Sequence, residues 1–338
     1  MTIQGVAGTK VTLEHGELEK EDGRVQMGNI TVYHVYMPDY DLQKDIYYMK
    51  GGEPETWEPS FCYHGFRYVE IKADKPVKLD RNSLKAKYIH TLVPSVGEFK
   101  SSNSLFNTVW EMTRRTYKNN FHSIITDCPH REKNGWTADS FLAVELGLLN
   151  YDGISFYHKW IDDVCDNIRP DGRLSGIIPD HGWGYMDWIG PVWDAAIFLI
   201  PETMYNFTGD FSQVDKLWPV YERYLEYLKT REEEDGLVTY GIGDWVYHKV
   251  PTETRFSSPC FYYKDYCLMA KFARLTGRDP EPYEEKAEAI KNAINAKWFN
   301  PETNLYANGT MAGQAIALYM GVVPEGKEQA VADELARM

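Results

Sequence analysis

The stretch FKSSNSLFNTVWEMTRRT, residues 99–116, separates two parts of the chain that differ in hydrophobic period. Its SSNS segment offers helix N-cap residues, and Leu105 and Val109 then recur at the spacing of one helix face. Apolar residues alternate with polar ones before this stretch and follow a helical period after it. The sequence therefore predicts a mixed, mainly α protein, with a β-sandwich domain over residues 1–98 and a helical domain over residues 99–338.

Five short runs rich in Val, Ile, Thr, Tyr and Phe precede the change of period. The segment VTLE, residues 11–14, alternates apolar and polar side chains, and turn residues such as Gly51 and Gly52 separate the runs. Short strands at this spacing are typical of a β-sandwich. The predicted strands lie within residues 6–17, 24–36, 45–50, 60–72 and 83–93.

About nine helices are predicted in the second part, mostly in neighbouring pairs. Gly209 and Gly277 are visible stop signals. The connections 170–190 and 236–257 are long and rich in Gly, Pro and Trp, and long loops on a rigid scaffold often carry function. After the first helix, the predicted helices cover 138–149, 153–168, 191–207, 211–234, 259–276, 281–298, 310–320 and 326 onward.

The charge balance excludes some classes of partner. The 338 residues include 36 Lys and Arg against 50 Asp and Glu, which gives a net charge of −14. Contacts to phosphate come from Lys and Arg, so we expect neither nucleic acid nor an anionic membrane as a partner. No apolar run is long enough for a transmembrane helix, and no signal peptide is visible, which slightly favours a cytoplasmic location.

Metal ions and cofactors are not expected from the sequence. The five Cys are scattered and form no Cys-x-x-Cys pair, and the histidines near acids do not show paired ligand spacing. His64 and Arg67 are interpreted as structural residues of a strand. The segment DDVCD, residues 162–166, fits a magnesium-diphosphate pattern, but it lacks a second metal motif and basic residues nearby. A solvated helix face explains it better.

The segment with the most chemistry is TDCPHREKNGWTAD, residues 126–139, which forms a loop that leads into a helix. Thr137 is predicted to cap that helix, and Asp139 falls in its first turn, where the helix dipole favours a negative charge. The plain interpretation is a capped helix with surface charges. Two later loops, 179–194 and 241–245, repeat the combination of carboxylates, Gly and Trp, and this repetition favours a functional site.

Carbohydrate binding accounts for this combination of side chains. A pyranose stacks its apolar C–H face on Trp, while its hydroxyl groups bind carboxylates and Arg. Hydrolysis of a glycosidic bond needs one carboxyl that donates a proton and a second carboxylate that activates water or attacks the anomeric carbon. A carboxyl crowded by acids and Trp has a raised pKa, which suits the acid.

The segment DCPHREKNGWTAD, residues 127–139, resembles the signature of the bacterial α-L-rhamnosidases, glycoside hydrolase family 78. The segment SFCYHGFRYV, residues 60–69, is similar to the Tyr-His-Gly-Phe-Arg-Tyr strand of their β domain. PVWDA, residues 191–195, resembles their Trp-Gly-Asp-Ala helix start. GDW, residues 243–245, and the segment 308–318 also look like family segments, and all of them occur in family order.

The resemblance implies an (α/α)6 toroid and an inverting hydrolase that releases L-rhamnose from rhamnose-containing glycosides. Glu132 matches the general acid of the family. The side chains that match its sugar-binding residues are Asp127, Arg131, Trp136, Asp139, Asp187, Trp193 and Trp245. Asp187 is a looser match because its loop differs in length and content from the family pattern. Ala138 replaces a usual Gly.

The base of the family has no counterpart in this sequence. In the family it is a Glu of a Trp-Glu segment far downstream, and a toroid of six helix pairs would need about twelve helices. The last helix, from residue 326, shows no stop signal. We therefore expect a fragment, truncated at its C-terminus and inactive or very weak alone, that self-associates through exposed helix faces. A complete but smaller helical array is the alternative.

Two other functions stay open at this stage. A carbohydrate-binding protein with a non-catalytic site would use the same Trp-rich loops, although binding alone does not require Glu132. An (α/α)6 glycosidase that acts on another sugar would share the fold and the acid.

Overall fold

A computed structural model describes residues 1–31, 42–182 and 184–338. Contacts divide the chain into two compact units, the first comprising Met1–Leu92 with Phe99–Asn134 and the second comprising Val93–Glu98 with Gly135–Met338. The described strands are β1 Thr2–Gly5, β2 Lys10–Gly16, β3 Leu18–Glu19, β4 Val25–Gln26, β5 Lys44–Tyr48, β6 Glu55–Thr56, β7 Tyr68–Ala73, β8 Val77–Lys78, β9 Phe299–Asn300 and β10 Leu305–Tyr306. The described helices are α1 Gly28–Thr31, α2 Ser104–Asn119, α3 Thr137–Asn150, α4 Ile154–Asn167, α5 Pro191–Asp194, α6 Ala196–Thr208, α7 Ser212–Lys229, α8 Thr254–Thr276, α9 Glu281–Trp298, α10 Met311–Met320 and α11 Glu328–Arg337.

The first unit contains antiparallel sheets. One has the strand order β5-β2-β7, a second has the order β6-β1-β8, and β3 pairs with β4. The alternation along β2 directs Val11 and Leu13 to the buried face, as the period of two requires. Ile3 of β1 and Met49, which follows β5, complete this apolar cluster. The predicted succession of β structure and helices is confirmed.

The strands are shorter than the sequence predicts. Within 60–72 the regular strand is only β7, and 83–93 holds no strand in the part of the chain that the model describes. The predicted strand 24–36 contains β4 and then α1, and its remainder from residue 32 lies outside the described residues. Residues 60–67 and 83–93 take irregular backbone although they carry aromatic residues.

The helices of the second unit agree closely with the prediction. Gly209, Gly277 and Gly321 end α6, α8 and α10 in the left-handed conformation, which glycine adopts without a Cβ clash. The predicted helix 191–207 is split into α5 and α6 at Ala195. Among the described residues, no helix combines the length and apolar character that crossing a bilayer demands.

Helix α2 belongs to the first unit and has its apolar residues exposed. Leu105 and Met112 are each 62% exposed, and Phe106 and Val109 are also exposed, while Tyr117 is buried. The helix itself is confirmed, with Asn103 accepting a hydrogen bond from the Leu105 backbone N–H at 2.9 Å as the N-cap. Self-association through such faces stays a prediction.

Two carboxyl groups lie inside the helical unit. Asp265 of α8 is fully buried, and Asp194 at the end of α5 is 6% exposed and accepts a hydrogen bond from Tyr224 Oη at 3.2 Å. Burial raises the pKa of Asp194 to about 8 and raises the pKa of Asp265 well above its ordinary value. Burial thus favours the neutral form of both carboxyl groups.

Candidate active site

The loop from Asp127 to Asn134 is closed by two hydrogen bonds at its ends. The backbone N–H of Asp127 donates to the Asn134 carbonyl at 3.0 Å, and the backbone N–H of Asn134 donates to Asp127 Oδ1 at 2.9 Å. The side chain of Asp127 thus acts as a local cap for the loop. These bonds fix the backbone on both sides of Arg131 and Glu132.

Cys128 links the two carboxylate residues of this loop. Its Sγ–H donates to Asp127 Oδ2 at 3.0 Å, and its sulfur accepts a hydrogen bond from the Glu132 backbone N–H at 3.2 Å. Burial raises the pKa of the Cys128 thiol, so the sulfur keeps its proton and can serve as the donor. The thiol therefore has a structural role in holding Glu132 near Asp127.

The two carboxyl groups of the loop interact electrostatically. Burial is the main cause that raises the pKa of Asp127, and the negative charge of Glu132 raises it further. Hydrogen bonds from Cys128 and Asn134 act in the opposite direction because they stabilise the carboxylate. The structure thus brings Asp127 and Glu132 together within the first unit.

Residues of the segment between β6 and β7 hold the far side of the loop. Lys133 Nζ donates to the Tyr63 carbonyl at 2.6 Å and lies 4.7 Å from the centroid of the Tyr63 ring. A Cβ added to Gly65 would lie 2.8 Å from Pro129 Cγ, so this glycine allows the loop to approach closely. Burial lowers the pKa of Lys133.

The remainder of the segment belongs to the second unit. Helix α3 begins at Thr137 itself, so the prediction that Thr137 caps the helix is wrong, and Trp136 occupies the N-cap position without a side-chain bond. The Thr137 hydroxyl is buried and shared between the Trp193 carbonyl at 2.9 Å and the Gly176 carbonyl at 3.2 Å. Asp139 lies in the first turn, as predicted.

Replacing Thr137 with valine is expected to lower the free energy of unfolding by about 1–3 kcal/mol, because the Trp193 and Gly176 carbonyls lose the hydroxyl donor while the side-chain volume is kept. Urea denaturation measures this change. Thr108→Val is the matched control, since the Thr108 hydroxyl bonds Ser104 within an exposed helix, and it should change stability by less than about 0.5 kcal/mol. Equal effects for both variants would contradict the role of Thr137.

The other predicted sugar-binding residues differ in exposure. Trp193 is 7% exposed and follows the left-handed Gly190 that begins α5. Asp187 is exposed and lies 3.9 Å from Arg173 Nη1, and Trp245 is 66% exposed. Thr137 connects the Trp136 segment to Trp193.

Both parts of the chain match family models. Residues 94–338 match the bacterial α-L-rhamnosidase six-hairpin glycosidase domain, and residues 1–90 match the bacterial α-L-rhamnosidase concanavalin-like domain. The chain belongs to the bacterial α-L-rhamnosidase family. The fold class predicted from the sequence is confirmed in this form, with β sheets of the concanavalin-like domain followed by the helical six-hairpin domain.

Individual α-L-rhamnosidases are similar over most of the chain. One from Formosa agariphila is 30% identical over 314 residues, and one from Streptomyces avermitilis is 28% identical over 344 residues. These matches include 86% and 100% of this chain, but the chain spans only 32% of either relative's length.

Solved α-L-rhamnosidase structures show the same fold. The enzyme from Dictyoglumus thermophilum has a TM-score of 0.88 and 31% identity, with 99% of this chain and 38% of that chain covered. The Streptomyces avermitilis enzyme complexed with L-rhamnose has a TM-score of 0.86 and 27% identity, with 99% of this chain and 32% of that chain covered.

The residues that fix the loop of this α-L-rhamnosidase segment are not evident from its sequence. Cys128 and Asn134 are parts of the motif, but their hydrogen bonds to Asp127 and Glu132 are visible only in the structure. Their positions beside the two acids were the available signal. The shared hydroxyl of Thr137 gave no signal, because both of its acceptors are distant in sequence.

Proposed function

We propose that this chain carries the general acid and the sugar-binding side chains of an inverting α-L-rhamnosidase. Glu132 protonates the glycosidic oxygen as the bond to L-rhamnose breaks. Asp127, Arg131 and Asp139 bind sugar hydroxyl groups. The indole rings of Trp136, Trp193 and Trp245, together with Asp187, complete the sugar site.

The observation that supports this proposal best is the closed loop that holds Asp127 and Glu132 together. An acid catalyst must stay within hydrogen-bonding distance of the leaving oxygen, so its backbone has to be fixed. Here the backbone N–H of Glu132 donates to Cys128 Sγ, and Asp127 and Asn134 close the loop around it. A surface loop with only solvated charges would not need these partly buried bonds.

The catalytic base is proposed to lie outside this chain. Inverting glycosidases place their two carboxyl groups about 6.5–9.5 Å apart, so that water fits between the base and the anomeric carbon. By resemblance, the base is the Glu of a Trp-Glu segment far downstream of the motif, and no Trp-Glu pair follows residue 139 in this sequence. We therefore expect the chain alone to hydrolyse rhamnosides about 10²–10⁴ times more slowly than a protein that includes the base.

Proton NMR of the reaction with an aryl α-L-rhamnoside tests the proposal. For the native protein that contains this chain, β-L-rhamnose is expected as the first product, before mutarotation mixes the anomers. The 338-residue chain, assayed in parallel, should show little or no product. Release of α-L-rhamnose first would contradict inversion, and full activity of the chain alone would contradict a base located elsewhere.

A further inference from the structure

Three ionisable side chains converge inside the first unit, at a distance in sequence from the loop that holds Glu132. They are His15 of β2, Asp45 of β5 and His64 of the segment between β6 and β7. One nitrogen or oxygen atom from each lies within 4.8 Å of the other two. The three side chains are only 8%, 10% and 9% exposed, so water solvates them poorly.

The pairing of β2 and β5 explains why two of these groups meet. Val11, Leu13 and His15 alternate along the buried face of β2, and Asp45 lies opposite Leu13 in the antiparallel register. Directly opposed residues point to the same face of a sheet, so Asp45 is a diagonal neighbour of His15. A carboxylate on a buried face is costly unless a positive charge compensates it.

Gln43 determines which ring nitrogens carry hydrogen. Its Nε2 donates to the Gly65 carbonyl, which leaves Oε1 to accept from His64 Nδ1 at 3.1 Å. Its backbone carbonyl accepts from His15 Nδ1 at 3.3 Å. With hydrogen on both Nδ1 atoms, each neutral ring presents the lone pair of Nε2 on its other side.

Both Nε2 atoms face the same carboxylate. His64 Nε2 lies 3.0 Å from each oxygen of Asp45, and His15 Nε2 lies 3.9 Å from Oδ2. If both rings are neutral, the lone pairs of the two Nε2 atoms and the negative charge of Asp45 face one another. A proton on His64 would compensate one of these contacts and leave the lone pair of His15 without a donor from the residues that the structure describes.

Protonating both His15 and His64 would not resolve this clustering of lone pairs and negative charge. The two imidazoles are stacked, with ring centroids 4.2 Å apart, so two positive charges would repel each other. Lys133 is the nearby fixed cation, but its ammonium donates to the Tyr63 carbonyl and lies over that ring.

We propose that His15, His64 and Asp45 bind one Zn²⁺ ion through the two Nε2 atoms and a carboxylate oxygen. Two imidazoles and one carboxylate form a common zinc ligand set, and a water molecule completes four-coordination. The hydrogen bonds from Nδ1 to the oxygens of Gln43 are the outer contacts that orient histidine ligands in metal sites. The ion crosslinks β2, β5 and the segment 62–67.

This crosslink adjoins the loop of the proposed acid. Tyr63 and Gly65 flank His64 and contact Lys133 and Pro129 of that loop. Zinc would therefore hold the segment on which Glu132 depends, and this consequence rests on the proposed function. Zinc binding itself does not depend on the proposed function. A failure of the zinc site and a failure of the proposed hydrolysis can therefore be told apart.

Zinc titration of the chelator-treated, dialysed protein at pH 7.5 tests the site directly. Calorimetry is expected to show one equivalent of Zn²⁺ per chain, and saturating Zn²⁺ should raise Tm by several degrees. His15→Gln, His64→Gln and Asp45→Asn should each weaken binding at least tenfold. His248→Gln, at an exposed histidine outside the cluster, is the matched control and should bind zinc like the unaltered protein.

A second measurement on the unaltered protein keeps the test valid if a variant does not fold. Co²⁺ should bind at one equivalent, give the visible absorption bands of a four-coordinate site, and be displaced by Zn²⁺. Failure to bind either ion at one equivalent would overturn the proposal and favour an imidazolium–carboxylate pair between His64 and Asp45. Undiminished zinc binding by the folded Asp45→Asn variant would also overturn it.

Discussion

Replacing Glu132 with glutamine is expected to lower kcat for rhamnosides with poor leaving groups by about 10²–10⁴, since the departing oxygen then leaves without a proton. Glutamine keeps the size of the side chain and the backbone N–H that donates to Cys128 Sγ. The affinity for L-rhamnose should therefore change little. Steady-state kinetics and rhamnose calorimetry on the native protein that contains this chain measure the two quantities.

Comparing substrates with different leaving groups tests directly whether Glu132 is the general acid. A dinitrophenyl rhamnoside releases a weakly basic phenolate that needs no protonation, so the Glu132→Gln variant should keep most of its activity on that substrate. Glu145→Gln, on the exposed side of α3, is the matched control and should leave both substrates unaffected. Equal losses on both substrates would exclude general acid catalysis by Glu132. Unchanged turnover on both substrates would assign the acid to another residue, whereas no turnover by the unaltered protein would favour a protein that only binds carbohydrate.

Replacing Asp194 with asparagine is expected to stabilise the protein at pH 8 and to change stability little near pH 4. Burial raises the pKa of Asp194 to about 8, so the folded state retains a proton that the unfolded chain releases above about pH 4. Unfolding therefore releases this proton, and stability falls as the pH rises from about 4 to about 8. Asparagine has no such proton to release.

The expected magnitude is large. A shift of one pKa unit corresponds to about 1.4 kcal/mol, so this group contributes a loss on the order of 5 kcal/mol between these two pH values. Tm measured from pH 4.5 to pH 8 should diverge between the variant and the unaltered protein as the pH rises. Asp152→Asn, at an exposed position, is the control. Parallel pH profiles for the Asp194 variant and the unaltered protein would contradict this account.

Local signals explain why the helices were predictable. Glycines at 209 and 277 end helices because they adopt the left-handed conformation, and the helical period between such stops is long enough to be distinctive. The strands were less predictable, because short alternating runs also occur in extended loops. Thus the β7 segment is regular, whereas 83–93 is not.

Contacts between segments that are distant in sequence could not be predicted from the sequence. His15, Asp45 and His64 have no recognisable ligand spacing, since pairing of β2 with β5 and the position of Gln43 bring them together. The exposure of the predicted site residues was equally hidden, as the contrast between buried Trp193 and exposed Trp245 shows. The motif identified the acids, but folding decides which groups surround them.

The hydrogen bonds that join Asp127 to Asn134 have an evolutionary consequence. They close a ring of fixed length, because the two residues must face each other across the intervening turn. Insertion or deletion of a residue between them would separate the donors from their acceptors and rotate the acid away. We therefore expect relatives to accept point substitutions in this loop more readily than a change in its length.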